Sequence, residues 1–182
     1  MSWTAPMTAV DNTKFTAAQF NTYVRDNLNA TMPGMASSAG NLLITSPTAP
    51  HTIVERALVQ AVVATSEATT SNTYTDLATV GPSMTINTGT AAIVFWAAMM
   101  QTATTNTEME MAYAVSGATT VAATDNVRLM LNGVTSAKTN RLGRFYLHTG
   151  LNAGTNTFTA KYRTNSSVSA TFQYRLLGVM AL

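Results

Sequence analysis

Beyond Ile53 the sequence alternates apolar and polar residues in several runs, and this period of two constrains the fold more than any other feature. Such alternation is typical of β-strands that bury one face against a core. The clearest runs, which are rich in the residue types that strands prefer, cover residues 109–115, 127–131, 158–162 and 168–176. Two further apolar runs, 53–65 and 91–100, do not alternate, and they predict strands that are covered on both faces.

Turn signals separate these runs, and no helical pattern lies between them. The signals are Gly81-Pro82, Thr88-Gly89, Ser116-Gly117, Asn132-Gly133 and Ala153-Gly154. About eight to ten strands are predicted. In the last run the spacing places Tyr174 and Leu176 on the apolar face and Arg175 on the polar face. The predicted fold class is mainly β: a jelly-roll β-sandwich preceded by an N-terminal arm with one α-helix.

The helix of the arm has a well-marked beginning. Thr16 followed by Gln19 predicts a capping box, and Phe15 with Phe20 predicts a hydrophobic staple. The apolar positions that follow share one face of a helix; they are Ala17, Phe20, Val24 and Leu28. Pro33-Gly34 predicts that the helix ends near Thr31 or Met32. A helix of this length is marginal alone in water, so its apolar face needs a partner surface.

Three regions follow from these patterns. Residues 1–32 form the arm with its helix, and residues 33–52 form a linker rich in Pro, Gly and Ser. The apolar patch Leu42-Leu43-Ile44 lies inside this linker. Residues 53–182 form the β-sandwich domain.

The composition excludes several classes of protein. Of 182 residues 46% are hydrophobic and 10% are charged, which is too apolar for a disordered chain. The absence of cysteine excludes disulfides and thiolate metal sites. The net charge of +2 provides no basic field for nucleic acid. The longest apolar run, 91–100, is about half of a membrane span, and the first residues do not resemble a signal peptide, so we expect no membrane partner.

Candidates for catalysis are few. The chain has two histidines: His51 follows Pro50, and His148 lies on a predicted strand, where a lone histidine is typical of a surface or an interface. The phosphate-loop, dinucleotide, zincin and nucleophile-elbow motifs do not occur. We therefore expect a protein that is not an enzyme and that binds no metal and no cofactor.

Glu108 and Glu110 share one face of a predicted strand. Paired carboxylates can serve glycoside hydrolysis or hold Ca²⁺, but no Asp/Asn-rich loop completes a calcium shell here. We interpret the pair as a solvated or subunit-facing surface, available to Arg128 or Arg144 on neighbouring strands.

The N-terminal region resembles a known group of proteins. Trp3-Thr4-Ala5-Pro6, then Phe15-Thr16-Ala17-Ala18-Gln19-Phe20-Asn21, then Val24-Arg25-Asp26-Asn27-Leu28 are similar to the N-terminal segment of tailed-bacteriophage virion structural proteins of the minor tail or tail-fibre type. The spacer 7–14 departs from that pattern, since it lacks the Trp and Gly-Glu that often precede the helix. The last strands, from Gly154 to Leu176, resemble those of trimeric phage jelly rolls, which are similar in outline to the C1q/TNF-like fold.

The resemblance implies a non-enzymatic virion protein, assembled in the host cytoplasm, whose trimeric β-sandwich is held on the particle by its N-terminal arm. A minor tail or fibre protein is the preferred interpretation, and a capsid decoration protein of the cement or head-fibre type is the alternative. The expected partners are two further copies of the chain and a tail, baseplate or major capsid protein. A module that binds host surface glycan is a further hypothesis of another class, with Tyr74, Tyr146 and Tyr162 as its candidate aromatic residues.

Two sets of residues carry this interpretation. The residues expected to anchor the arm are Trp3, Phe15, Phe20, Val24 and Leu28. The residues expected at the trimer interface are Ile93, Phe95, Trp96 and Met99.

Overall fold

The structure, a computed structural model, describes residues 4–5, 7–8, 10–30, 37–46, 52–133 and 138–182. The chain divides into two compact units, Met1–Ala57 and Leu58–Leu182. Each unit has its own secondary structure, and the two are taken in turn.

The N-terminal unit contains the predicted helix. Helix α1 (Ala17–Phe20) continues through a π-helical stretch (Asn21–Arg25) into α2 (Asp26–Asn29). The capping box is confirmed, because the Thr16 backbone N–H donates to Gln19 Oε1 at 2.9 Å and the Gln19 N–H donates to Thr16 Oγ1 at 3.2 Å. The staple is also confirmed, since the rings of Phe15 and Phe20 meet edge to face with centroids 6.1 Å apart. The expected helix end at Thr31 or Met32 lies outside the described residues.

The same unit contains a short antiparallel hairpin. Strand β1 (Leu42–Thr45) pairs with β2 (Ile53–Arg56). The apolar patch of the predicted linker is therefore a strand, and the run 53–65 is divided between the two units. The boundary between the two compact units falls after Ala57, whereas the sequence pattern predicts that the sandwich domain starts at residue 53. The apolar run conceals this boundary because it continues unbroken from one strand into the next.

The described residues of the C-terminal unit form a sandwich of nine strands, within the expected range. They are β3 (Leu58–Val63), β4 (Glu67–Thr69), β5 (Ser83–Thr88), β6 (Ala91–Thr102), β7 (Thr107–Gly117), β8 (Leu129–Gly133), β9 (Lys138–Thr149), β10 (Gly154–Thr164) and β11 (Ala170–Ala181). One sheet has the order β3-β11-β6-β9, with β4 also paired to β11, and the other has the order β5-β10-β7-β8. All pairings are antiparallel. The predicted mainly-β class with a jelly-roll β-sandwich is confirmed.

The core lies between the two sheets and follows the alternation in the sequence. Its largest side chains that are at least 98% buried include Trp96, Tyr113, Phe158, Tyr162, Phe172, Met100, Met109 and Met111. Trp96 and Tyr113 join the two sheets through an edge-to-face contact with ring centroids 5.0 Å apart. Interdigitated aromatic and methionine side chains of this kind supply most of the hydrophobic stabilisation of a sandwich.

Strand β11 contains the main departure from the predicted alternation. The register against β6 shifts between Gln173 and Leu176, and Tyr174 has a φ of 48°. One extra residue in a strand reverses the faces of the residues that follow it. Tyr174 is exposed as a result, and Arg175 is buried where Nη2 lies 3.1 Å from Glu67 Oε2. The expectation that Arg175 shares the polar outer face with Gln173 is therefore wrong.

Candidate interaction face

The outer face of the five-stranded sheet carries three consecutive rungs of mostly apolar residues. Antiparallel pairing places directly opposed residues on the same face. The rungs are Leu58–Met180–Ile93–Leu147, Gln60–Gly178–Phe95–Phe145 and Val62–Leu176–Ala97–Gly143. We call these twelve residues the apolar face.

Several side chains of the apolar face are far more exposed than large apolar residues usually are. Phe145 is 77% exposed, and Leu58, Val62 and Leu147 are each about half exposed. The polar end of the same sheet face begins beyond Met99 with Gln101, and among the described residues of this sheet face Arg141 carries the only charge. A contiguous exposed apolar surface on a protein of this size marks an interaction site.

Phe95 lies flat over the backbone of β11 in the middle rung. A Cβ atom added to Gly178 would be 1.8 Å from Phe95 Cζ, so only glycine permits this position of the ring. Phe95 is consequently half buried by its own sheet, whereas the opposed Phe145 stands out from it. Phe95 is therefore recessed in the apolar face while Phe145 protrudes from it, so a partner of complementary shape can pack against both rings.

The structure places three of the four expected interface residues on this outer face. Ile93 and Phe95 lie in the apolar face, and Met99 follows on the same side of β6. Trp96 points the opposite way and is 1% exposed in the core. Successive residues of a strand point to opposite sides, so Phe95 and Trp96 cannot both contribute to one surface. Trp96 is a core residue of the sandwich, and its assignment to the interface is corrected accordingly.

The opposite sheet buries an ion cluster that the sequence pattern did not indicate. Glu110 is fully buried on β7, where Arg163 Nη2 donates to its two carboxylate oxygens at 3.0 and 2.9 Å. Tyr74 Oη donates to Glu110 Oε2 at 3.0 Å, and Arg128 Nη1 lies 3.5 Å from the same oxygen. Burial, together with the charge of this carboxylate, raises the pKa of Tyr74, so its hydroxyl keeps the proton that it donates. We call Glu110, Arg163, Arg128, Tyr74 and Asp125 the Glu110 cluster.

The cluster corrects the interpretation of the two glutamates. Glu108 is half buried, but Glu110 is not part of a solvated surface. Pairing of Glu110 with Arg128 is confirmed, whereas Arg144 donates to the backbone carbonyl of Asn126 at 3.1 Å. Because its oxygens are occupied by Arg163 and Tyr74, Glu110 is not placed to act as the acid or base of a hydrolase.

His148 is buried rather than at the surface. It is 8% exposed, and Tyr113 Oη lies 3.0 Å from its Nδ1. Burial lowers the pKa of His148 below its ordinary value and raises the pKa of Tyr113, so both side chains are favoured in their neutral forms. The arrangement serves the core of the sandwich; the other histidine, His51, lies outside the described residues.

The buried histidine predicts a pH dependence of stability. Since the folded-state pKa of His148 is lowered, the unfolded chain binds the proton more readily, and the free energy of unfolding will fall as the pH drops through the ordinary value of 6.5. Denaturant unfolding of the wild type between about pH 7.5 and 5.5 measures this loss. His148→Asn, which retains an acceptor for Tyr113, will flatten the profile in that window. An equally steep profile in the variant would assign the effect to another group.

Of the residues expected to anchor the arm, Phe20, Val24 and Leu28 lie on the helix of the N-terminal unit, and Phe15 immediately precedes its N-cap. Phe15, Phe20 and Leu28 are 55%, 49% and 63% exposed, and Val24 is half buried. Trp3 lies outside the described residues. Two large apolar side chains of the helix, Phe20 and Leu28, are thus exposed.

Asn27 is a feature of this unit that the sequence pattern did not predict. It is buried, its Oδ1 accepts from the Thr4 backbone N–H at 2.9 Å, and its Nδ2 donates to the Thr4 carbonyl at 2.9 Å. One side chain therefore holds the segment that contains Thr4 against the helix. The quoted motifs contain both partners, but nothing in their spacing signals that they meet.

The three tyrosines considered for glycan binding differ in accessibility. Tyr162 is fully buried and donates to the Gly81 carbonyl at 2.8 Å, so its ring cannot face a ligand. Tyr146 is 37% exposed and Tyr74 is half buried. In the parts of the chain that the structure describes, no cluster of three or more metal-ligating side chains is found, and no helix has the length and apolarity to cross a membrane.

Comparisons with known proteins agree with the architecture. No family model and no curated protein matches the sequence. The structure of infectious bursal disease virus, Gt strain, matches with a TM-score of 0.50 and 12% identity over 79% of this chain and 38% of that chain. The VP2 subviral particle of the same virus gives 0.50 and 11% over 81% and 41%. Eiger TNF from S. frugiperda gives 0.38 and 9% over 81% and 88%.

These likenesses concern the fold. At 11–12% identity they show that the chain has the jelly-roll sandwich found in proteins of virus particles. The chain spans about two fifths of the length of those viral proteins. The molecule is thus a jelly-roll protein with one apolar outer sheet face and a separate N-terminal helical unit.

Proposed function

We propose that this protein is a non-enzymatic structural component of a virus particle, a homotrimer of jelly-roll sandwiches attached to the particle through the N-terminal unit. The observation that carries the proposal is the apolar face. A sheet of this kind exposed to water favours association, and the shared fold with proteins of virus particles supports a structural role.

A second and third copy of the chain are the proposed occupants of the apolar face. Leu58, Val62, Phe145 and Leu147 leave half or more of their surface exposed, and burying a large apolar side chain contributes about 1.5–3 kcal/mol when it is complete. The near absence of charge on this face suits an interface between identical chains, because like charges would otherwise meet. Closed cyclic symmetry covers the face on every copy, and the resemblance to phage jelly rolls favours three.

The helix of the N-terminal unit is the proposed anchor. Its exposed apolar residues Phe20 and Leu28, with Phe15 just before the helix, fit a groove on a neighbouring virion protein. The resemblance of residues 3–28 to bacteriophage minor tail and fibre proteins favours a tail position. Capsid decoration is the alternative, and the particle protein that contacts the helix distinguishes the two.

Particle incorporation tests the anchor. Phe20→Ser will reduce occupancy on particles at least about tenfold, since it removes roughly 1.5 kcal/mol or more of apolar contact. Thr22→Ser, a small change at an exposed position of the same helix, is the matched control and will leave occupancy unchanged. Quantitative gel analysis of purified particles measures occupancy, and a cryo-EM map shows which protein the helix contacts. Normal occupancy of the Phe20 variant would refute the anchor.

A further inference from the structure

A groove opens on the outer face of the four-stranded sheet, on the side of the sandwich away from the apolar face. Its volume is about 410 Å³, within the usual range for small-molecule sites. It is lined by three alanines, Ala114, Ala122 and Ala123, which we call the alanine floor, and by five larger residues, Asn72, Thr73, Tyr74, Lys161 and Arg163.

The charges around the groove are already balanced. Lys161 Nζ lies 2.8 Å from both carboxylate oxygens of Asp76. Arg163 and Arg128 of the Glu110 cluster are paired with Glu110 and Asp125. Among these described residues three cations face three acids, so an anionic ligand would meet as much repulsion as attraction.

The groove combines apolar and polar groups in the way that a sugar ring requires. The methyl groups of the three alanines can contact C–H groups, and Tyr74 lines the groove beside Arg163, whose guanidinium lies 4.7 Å from the centroid of its ring. Lys161 lines the groove and Asp76 is its ion-pair partner, with side chains 23% and 38% exposed; we call the two residues the rim pair. An ammonium group has three donors and a carboxylate about four acceptor sites, so the pair offers a donor and an acceptor side by side to two neighbouring hydroxyls.

We propose that this groove binds a neutral saccharide unit. The alanine floor and Tyr74 contact the C–H face of the sugar ring, and the Lys161–Asp76 pair recognises two adjacent hydroxyl groups. This activity is independent of the trimer and of the anchor, and it would add recognition of a glycan surface to the structural role.

Ligand-observed saturation-transfer NMR on the full chain tests the proposal. The probes are the methyl glycosides of glucose, galactose, mannose and N-acetylglucosamine, each titrated through about 10 mM so that a Kd as weak as about 1 mM gives a saturable signal. At least one probe is expected to give a saturable transfer signal. Sulfate is the competing anion probe and is expected not to displace it.

Variants locate the binding in the groove. Ala114→Leu fills the floor and Lys161→Met removes the donor of the rim pair; each will weaken binding at least about tenfold. Lys14→Met removes the same charge in the N-terminal unit and will leave binding unchanged. A protein spectrum of each variant reports its folding, and if Ala114→Leu fails to fold, Lys161→Met alone decides. Absence of a saturable signal for all four sugars, retention of binding in a folded groove variant, or displacement by sulfate would each overturn the proposal.

Discussion

Replacing Phe145 and Leu147 together by aspartate will convert the proposed trimer into folded monomers. The two side chains are 77% and 52% exposed in the single chain, so the sandwich does not depend on them for its core. In a trimer, loss of their apolar contacts removes about 2–4 kcal/mol per protomer, and each new carboxylate must also be buried or kept apart from its copies. Light scattering at micromolar concentration measures the mass, and circular dichroism confirms the fold.

Val80→Asp is the matched control for this experiment. The side chain of Val80 is 58% exposed, close to the 52% of Leu147, and Val80 lies outside the apolar face. Its variant will remain a trimer. A wild-type protein that is monomeric at micromolar concentration, or a double variant that keeps the trimer mass, would contradict the assignment of the apolar face to self-association.

Glu110→Gln will destabilise the sandwich strongly, whereas Glu108→Gln on the same strand face will not. Glu110 is fully buried with Arg163 and Arg128 beside it, and replacement by a neutral amide leaves the two guanidinium groups with only the half-exposed carboxylate of Asp125. Breaking a fully buried pair costs about 3–5 kcal/mol, and since the arginine side chains are 23% and 34% exposed we expect about 2–4 kcal/mol.

Denaturant unfolding measures the two glutamate variants side by side. Glu108 is only half buried, so its variant should lie within about 1 kcal/mol of the wild type. Equal stabilities of the two variants would mean that the Glu110 cluster contributes no more than a surface ion pair. If the role of Glu110 is structural and not catalytic, purified protein will release no sugar from host glycans, either with Glu110 or with Gln in its place.

The parts of the fold that the sequence predicts well depend on local spacing. Thr16 and Gln19 signal the helix start because the capping box requires only their separation of three residues. The runs around Met109–Tyr113 and Phe158–Tyr162 predict their strands because one face of each is buried uniformly. Strand β6 is apolar on both sides, and the residues Ile93, Phe95 and Ala97 on its outer side belong to the apolar face.

The features that escaped prediction depend on contacts between distant segments. Burial of Glu110 arises from Tyr74 and Asp125, which come from segments with no periodic pattern. Arg175 is buried because a single-residue irregularity reverses the end of β11, and no residue type marks that irregularity. Glycine is unfavourable inside a strand, so Gly178 has no evident role in the sequence pattern. In the structure its lack of a side chain makes room for the ring of Phe95.

The side chain of Asn27 has a consequence for how the N-terminal motif can vary. A carboxamide carries the same donor and acceptor as a peptide group. The side chain of Asn27 therefore makes the two hydrogen bonds with the Thr4 backbone that a paired strand would otherwise make. The attachment is made at the two ends of the motif and does not involve the spacer 7–14. We therefore expect changes of sequence in the spacer to preserve the attachment, and the spacer is the part where this chain departs from the phage pattern. Aspartate at position 27 would remove the donor, so the attachment requires the amide.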